Sequence, residues 1–339
     1  MAEGEFWILA LSGGGARGLF TAKVLANLEK EIGGLLAQRF DLIAGTSVGG
    51  ILALGVAKEI PAEQLTTLFD NAKEIFMPRN CFSKFFPLRG PKYRNDRLKA
   101  ILENDEVFGA ATIGDLKHRV MIPSVNYTKG TPTFFKTPHD PSLRTDRNYS
   151  LVNVAMATTA APTYFPVYGF NNQYFVDGGL VANAPGLVAV HEAMHFVNHP
   201  DVKTIHVVSV GTFARGAAKD PKLGADMGIL TAPNRRPWPS WGWGGRLFDL
   251  TINSQEAMSN YILGHWLGDH HYLIDGKPEP EQTGYLGLDN TSQEAKKTLL
   301  GQADVISQKL FSQVLLQNIR NHEPPCPNFY HGTNKNTEI

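Results

Sequence analysis

The chain of 339 residues has only two cysteines, Cys81 and Cys326, and they lie far apart. A disulfide framework needs more thiols at closer spacing, so none is expected to organise this fold, and a reducing compartment is expected. Charge of one sign is equally lacking, because 32 basic residues are balanced by 32 acidic ones. Without a basic surplus there is no bulk attraction to nucleic acid, and no DNA or RNA polymer is expected as a partner. No apolar run reaches the roughly 20 residues that cross a bilayer. The N-terminal run, Phe6 to Leu11, is too short for a secretory leader and empties into a glycine loop. A cytoplasmic protein that meets a membrane only at its surface is the expectation.

What is present is apolar content of 42%, enough for a large core within a single domain over residues 1–339. Periodicity predicts strands near 6–11, 41–45, 119–126, 131–136, 173–177, 204–210 and 271–275. It predicts helices near 17–32, 47–58, 61–76, 94–103, 151–158, 185–198, 247–264 and 291–318. Such alternation implies an α/β fold in three layers, with a mainly parallel central sheet and helices on both faces.

The most informative stretch is Gly45-Thr46-Ser47-Val48-Gly49, a G-x-S-x-G pentapeptide between a short apolar strand and an apolar helix. A serine at so sharp a turn projects its hydroxyl from the backbone, as a nucleophile elbow does. Upstream, strand 6–11 runs into Gly13-Gly14-Gly15-Ala16-Arg17-Gly18 and then a helix. Backbone N–H groups in such a loop can hold an anionic oxygen. The loop also satisfies G-x-G-x-x-G, but the nearest acidic residue, Asp41, opens the next strand where a dinucleotide site would have it at the end. A phosphate-binding loop needs Gly-Lys-Ser/Thr, which Arg17-Gly18-Leu19 does not supply. An oxyanion hole serving Ser47 fits best. Further along, Asp177-Gly178-Gly179 closes the apolar run 173–177 and places a carboxylate at a strand end.

In this order, the loop Gly13 to Gly18, the elbow Gly45 to Gly49 and the motif Asp177-Gly178-Gly179 resemble the patatin-like phospholipases. Ala160-Ala161-Pro162-Thr163-Tyr164-Phe165-Pro166 and Leu180-Val181-Ala182-Asn183-Ala184-Pro185 resemble the family's flanks of the aspartate, and the likeness thins beyond about residue 212. The resemblance implies a Ser47–Asp177 dyad without histidine or cofactor, acting as a phospholipase A on membrane glycerophospholipids. It implies an oxyanion hole from Gly13, Gly14, Gly15, Ala16, Arg17 and Gly18, with Gly45, Gly49, Gly178 and Gly179 shaping the turns. Within the family, the architecture without appended domains is similar to the cyclic-nucleotide-activated effectors of CBASS antiphage defence, which implies a cyclic dinucleotide activator.

Three alternatives compete. A Ser-Asp-His esterase is open because His191, His195, His199, His206, His265, His270 and His271 all follow Asp177. His191-Glu192-Ala193-Met194-His195 satisfies the zinc-protease pattern H-E-x-x-H, against which stands an ordinary packed helix. An inert lipid- or nucleotide-binding module is the third.

Two clusters suggest partners. From Phe76 to Arg94 no acidic residue occurs, and Arg79, Lys84, Phe85, Phe86, Arg89 and Lys92 are read either as a contact to an anionic membrane or as a solvated loop. Arg235, Arg236, Trp238, Trp241, Trp243 and Arg246 form a second cluster, read as a lid, an activator surface, a homo-oligomer contact or a plug over the core.

Overall fold

β1 (Glu5–Leu11) buries both of its faces. Trp7, Leu9 and Leu11 enter one apolar cluster while Phe6, Ile8 and Ala10 enter a second, the alternation of a strand covered on both sides. The structure is a computed structural model that describes residues 4–79, 90–195, 202–214, 230–231, 240–241 and 243–336, with backbone alone for 230–231, 240–241 and 243–246.

In chain order, β1 is followed by α1 (Gly18–Ile32), β2 (Leu42–Gly45), α2 (Val48–Ala57), α3 (Ala62–Thr66), α4 (Ala72–Ile75) and α5 (Asp96–Leu102). Next come β3 (Arg119–Asn126), β4 (Thr131–Lys136), α6 (Leu151–Thr158), β5 (Tyr168–Phe170), β6 (Gln173–Asp177), α7 (Gly179–Ala182) and α8 (Gly186–His195). The C-terminal part contributes β7 (Thr204–Val210), β8 (Leu230–Thr231), β9 (Ser240–Trp241), α9 (Trp243–Leu267), β10 (His271–Ile274), α10 (Gln293–Leu310) and α11 (Gln313–Asn321).

Strands β10, β7, β1, β2 and β3 are parallel neighbours in that order, which makes the sheet mainly parallel. Helices α1, α2, α6, α10 and α11 cover one face through Leu25, Leu52, Val154, Leu299 and Ile319. α8 and α9 cover the other through Val190, Ala193 and Leu263. The three-layer α/β architecture expected from the sequence is therefore present, and each of the seven expected strands forms.

Two expected helices are divided. The helix expected over 291–318 breaks at Phe311, and Ser312 restarts it by accepting the Leu315 N–H on its hydroxyl at 3.1 Å. The helix expected over 61–76 is interrupted where the Thr66 and Thr67 hydroxyls bond back to the carbonyls of Glu63 and Gln64. Asp41, weighed as a ribose ligand, is buried at the start of β2, where its Oδ2 accepts the Trp7 N–H at 2.8 Å and meets His322 Nε2 at 2.7 Å.

One feature of the sheet positions the site. β4 occupies an edge of β3 from Met121 to Asn126, so β2, opposite Arg119–Met121, and β6, opposite Ser124–Asn126, share the other edge. β2 runs parallel to β3 and β6 antiparallel, so the two strands approach one another end to end. Their C-termini meet.

The zinc reading of α8 is corrected here. Glu192 is 2% exposed and accepts from Lys136 Nζ at 2.6 Å, while His139 Nε2 lies 2.8 Å from its other oxygen. Burial alone would raise this carboxyl, but the hydrogen bonds of His139 and Lys136 and the lysine charge outweigh it and hold it below its ordinary value. Burial also lowers His139, which is therefore neutral at pH 7. His191 and His195 are exposed, and among the described residues no group of His, Cys, Asp and Glu is arranged to hold a metal ion. Glu192 thus serves a buried ion pair. Glu192→Ala should lower unfolding free energy by about 3–5 kcal/mol in urea titrations, because it removes the buried acceptor of Lys136 Nζ and of His139; Glu192→Gln should cost less.

Candidate active site

Ser47 occupies the junction of β2 and α2 with φ 55° and ψ −126°, a backbone conformation that non-glycine residues rarely adopt. Its neighbours enforce the turn. A Cβ on Gly45 would sit 2.1 Å from the carbonyl oxygen of Gly49, so this close approach of strand and helix admits only glycine. The Ser47 N–H donates to Thr158 Oγ1 at 2.9 Å, and the Thr158 hydroxyl donates to Pro123 O at 2.6 Å, which ties the elbow to β3.

β6 delivers the partner. Ser47 Oγ donates to Asp177 Oδ2 at 2.7 Å, and the Gly179 N–H donates to Asp177 Oδ1 at 2.7 Å. Gly178 lets the chain turn against β3, since a Cβ there would lie 2.2 Å from Pro123 O. Asp177 is 2% exposed, and burial pushes its carboxyl up to about 7 against the opposing hydrogen bonds of Gly179 and Ser47. A carboxylate so tuned is matched to general-base work near neutral pH, which an ordinary aspartate is not.

The glycine loop faces the same point, but its N–H groups differ in availability. Gly13 donates to Asn183 O at 3.0 Å, Ala16 to Leu288 O at 2.8 Å, Arg17 to Gly14 O at 3.2 Å, and Gly18 to carbonyls within the loop. Gly14 and Gly15 are left with N–H groups that make no hydrogen bond among the described residues, and both line the cavity that holds Ser47 and Asp177. The Val48 N–H, at the first turn of α2, is likewise unbonded there. Three backbone N–H groups beside the cavity are thus available to a ligand atom. Arg17 is buried, donates to Leu286 O at 3.4 Å, and lies outside the residues lining the cavity. Its guanidinium holds the loop against the C-terminal segment.

The cavity is walled by Ile51, Leu68, Phe76, Leu98, Phe165 and Ile252, an apolar lining suited to an acyl chain. Its volume is about 90 Å³.

Among the described residues no histidine lines this cavity, and the triad alternative is set aside on that ground. His206 stacks on Trp7 at 4.2 Å, His270 packs against His206, His271 Nε2 meets Ser209 Oγ at 3.0 Å, and His265 packs on Tyr261. His199 lies outside the described residues, as do Lys84, Phe85, Phe86, Arg89, Arg235, Arg236 and Trp238. For Trp241, Trp243 and Arg246 only the backbone is described: Trp241 is in β9, which pairs with β8, and Trp243 opens α9. Arg79 is exposed. Lys92 is held by Asp289, which also accepts from the Tyr93 hydroxyl at 2.5 Å, so its charge is already engaged.

Sequence reasoning missed Thr158, the Val48 N–H, and the brace formed by Asn183, Leu286 and Leu288. Val48 carried a local signal, as the residue that follows a nucleophile in an elbow, and Asn183 lay in the stretch Leu180 to Pro185 that resembles the family's flank of the aspartate.

Comparison with known proteins agrees with this geometry. The family model for Patatin-like phospholipase matches residues 9–190, a span that holds the loop, the elbow and the aspartate. The chain belongs to the patatin-like phospholipase family. It is 42% identical over 337 residues to a protein of Pseudomonas aeruginosa named cGAMP-activated phospholipase, covering 98% of this chain and 96% of that one. Proteins of the same name in Vibrio cholerae and Escherichia coli are each 34% identical; the alignments cover 90% of this chain in both cases, and 91% and 90% of those proteins respectively. This patatin-like phospholipase is accordingly a lipid acyl hydrolase, and among its described residues no helix is long and apolar enough to cross a membrane.

The buried carboxylate has a stability signature. With its folded value raised above the unfolded value near 3.9, Asp177 binds its proton more tightly in the native state, so its contribution to stability is complete below about pH 4 and is lost as pH rises through about 7. Asp177→Asn should therefore raise Tm at pH 8, with the gain shrinking toward pH 4 in thermal melts across that range.

Proposed function

We propose that this enzyme hydrolyses acyl esters of membrane glycerophospholipids as a phospholipase A, with Ser47 as nucleophile and Asp177 as base, and that a cyclic dinucleotide switches it on. The observation that carries the chemistry is the 2.7 Å Ser47–Asp177 hydrogen bond, made by a buried carboxylate tuned to about 7 beside an apolar cavity. As Ser47 Oγ attacks the ester carbonyl, its proton passes to Asp177, and the Gly14, Gly15 and Val48 N–H groups receive the developing oxyanion. Collapse expels the lysolipid alkoxide, which takes the proton back from Asp177. Water then attacks the acyl-serine with Asp177 again as base, releasing fatty acid and restoring the Ser47 hydroxyl.

Activation rests on the three relatives named for cGAMP and on their near full-length match. In this reading the active enzyme works in the cytoplasm at the surface of the inner membrane, docked through the stretch from Arg79 to Lys92, and the Trp-rich stretch 234–246 serves the activator, a lid or a homo-oligomer contact.

The experiment is an acyl-ester assay on anionic liposomes with and without cGAMP. Activity should appear or rise strongly with cGAMP. Ser47→Ala and Asp177→Ala should each lower kcat by about a thousandfold or more, and the double variant should fall little further, because nucleophile and base act as one unit. Substantial hydrolysis by Asp177→Ala would remove the aspartate from the role of base, and equal rates with and without cGAMP would remove the activator.

A further inference from the structure

Resting on the reading of Ser47 as nucleophile and of the glycine loop as oxyanion hole, we infer that Glu256 is a positioning residue: through Asn183 it fixes the direction in which Gly14 and Gly15 present their N–H groups. Glu256 lies on α9, outside residues 9–190 matched by the family model, and its side chain is buried beneath the loop.

The geometry forms a chain of contacts. Asn183 Nδ2 donates to Glu256 Oε2 at 3.1 Å and to Gly13 O at 3.3 Å, while the main-chain carbonyl of Asn183 accepts the Gly13 N–H at 3.0 Å. Asn183 therefore grips both polar groups of the residue that precedes Gly14. An acceptor opposite Nδ2 holds the side-chain amide in that orientation, because rotation of the amide would turn its oxygen toward Gly13 O. Glu256 supplies that acceptor, and Ser12, the residue before the loop, hydrogen-bonds to it as well. The neighbouring α9 residues reinforce the grip: Gln255 Oε1 accepts the Ala184 N–H at 3.0 Å, and Ser259 Oγ donates to Ala184 O at 3.0 Å.

The groups facing Glu256 set its charge. Burial and the nearby Asp275 raise it to about 7, against Arg17, Asn183 and Ser12, which favour the anion. Nothing in this arrangement moves a proton to or from substrate. Glu256 acts by alignment, and small misplacements of catalytic groups cost up to about a hundredfold in rate.

Glutamine is the discriminating substitution. Its carbonyl oxygen can still accept from Asn183, and the Ser12 hydroxyl can rotate to accept from its amide. The test uses the full-length enzyme with cGAMP and a short soluble ester. Glu256→Ala should lower kcat about 10–100-fold with KM within twofold of wild type. Glu256→Gln, which keeps the acceptor for Asn183, should return kcat to within about threefold at pH 8. Where Glu256→Ala does not fold, Asn183→Ala should give the same loss in kcat. A Glu256→Ala enzyme with lowered Tm and wild-type kcat overturns the inference, as does a Gln variant as slow as the Ala variant. Ser47→Ala, run alongside, separates the failures: activity in Ser47→Ala overturns the nucleophile assignment, whereas a dead Ser47→Ala beside a fast Glu256→Ala overturns only the role of Glu256.

Discussion

The hydrogen bond between Ser47 and Asp177 depends on two strands ending face to face along one edge of β3. A parallel strand brings its C-terminus to the top of the sheet, and an antiparallel one brings its own C-terminus down to the same level. The space between the two ends is only a few residues of β3 long, and Pro123 lies there. Its carbonyl is used by the Thr158 hydroxyl, and its bulk admits only glycine at position 178. The crowded glycines of the elbow and of the aspartate turn follow from that shared edge.

Burial gives the carboxylate its basicity, and the same burial opposes folding once the proton leaves. Asp177 has no cationic partner among the causes that set its charge; two hydrogen bond donors are what it retains. Contrast Glu192, equally enclosed, where Lys136 and His139 overcome desolvation and keep the carboxylate ionised. Two acidic side chains with the same exposure thus take opposite protonation behaviour from what surrounds them. One is fitted to exchange a proton and the other to stay charged.

The parts legible in the sequence were those written locally. Ser47 and Asp177 each sat in a short pattern whose glycines report backbone crowding, and the seven strands that form were visible as short apolar runs. The glycine loop was legible as an anion cradle, but which of its N–H groups remain open depends on Asn183 and Leu288, acceptors brought in from distant segments. Glu256 sat unnoticed in a polar stretch of α9 because its neighbours are set by tertiary packing alone. The H-e-x-x-H pattern of α8 misled for the converse reason: helical spacing places two histidines together but says nothing of whether the glutamate between them faces solvent or a lysine on β4. The break at Phe311 was hidden because the apolar period continues across it, and Ser312 reads as an ordinary helix residue until its hydroxyl is seen capping the next one.

The nucleophile and the oxyanion loop answer to different parts of the chain. Ser47 is held through Thr158 and Pro123, within the N-terminal half. The loop hangs from Leu286, Leu288 and Glu256, all in the C-terminal third. Divided custody of this kind means that a shift of the C-terminal segment would move Gly14 and Gly15 while leaving the serine its hydrogen bond to Asp177.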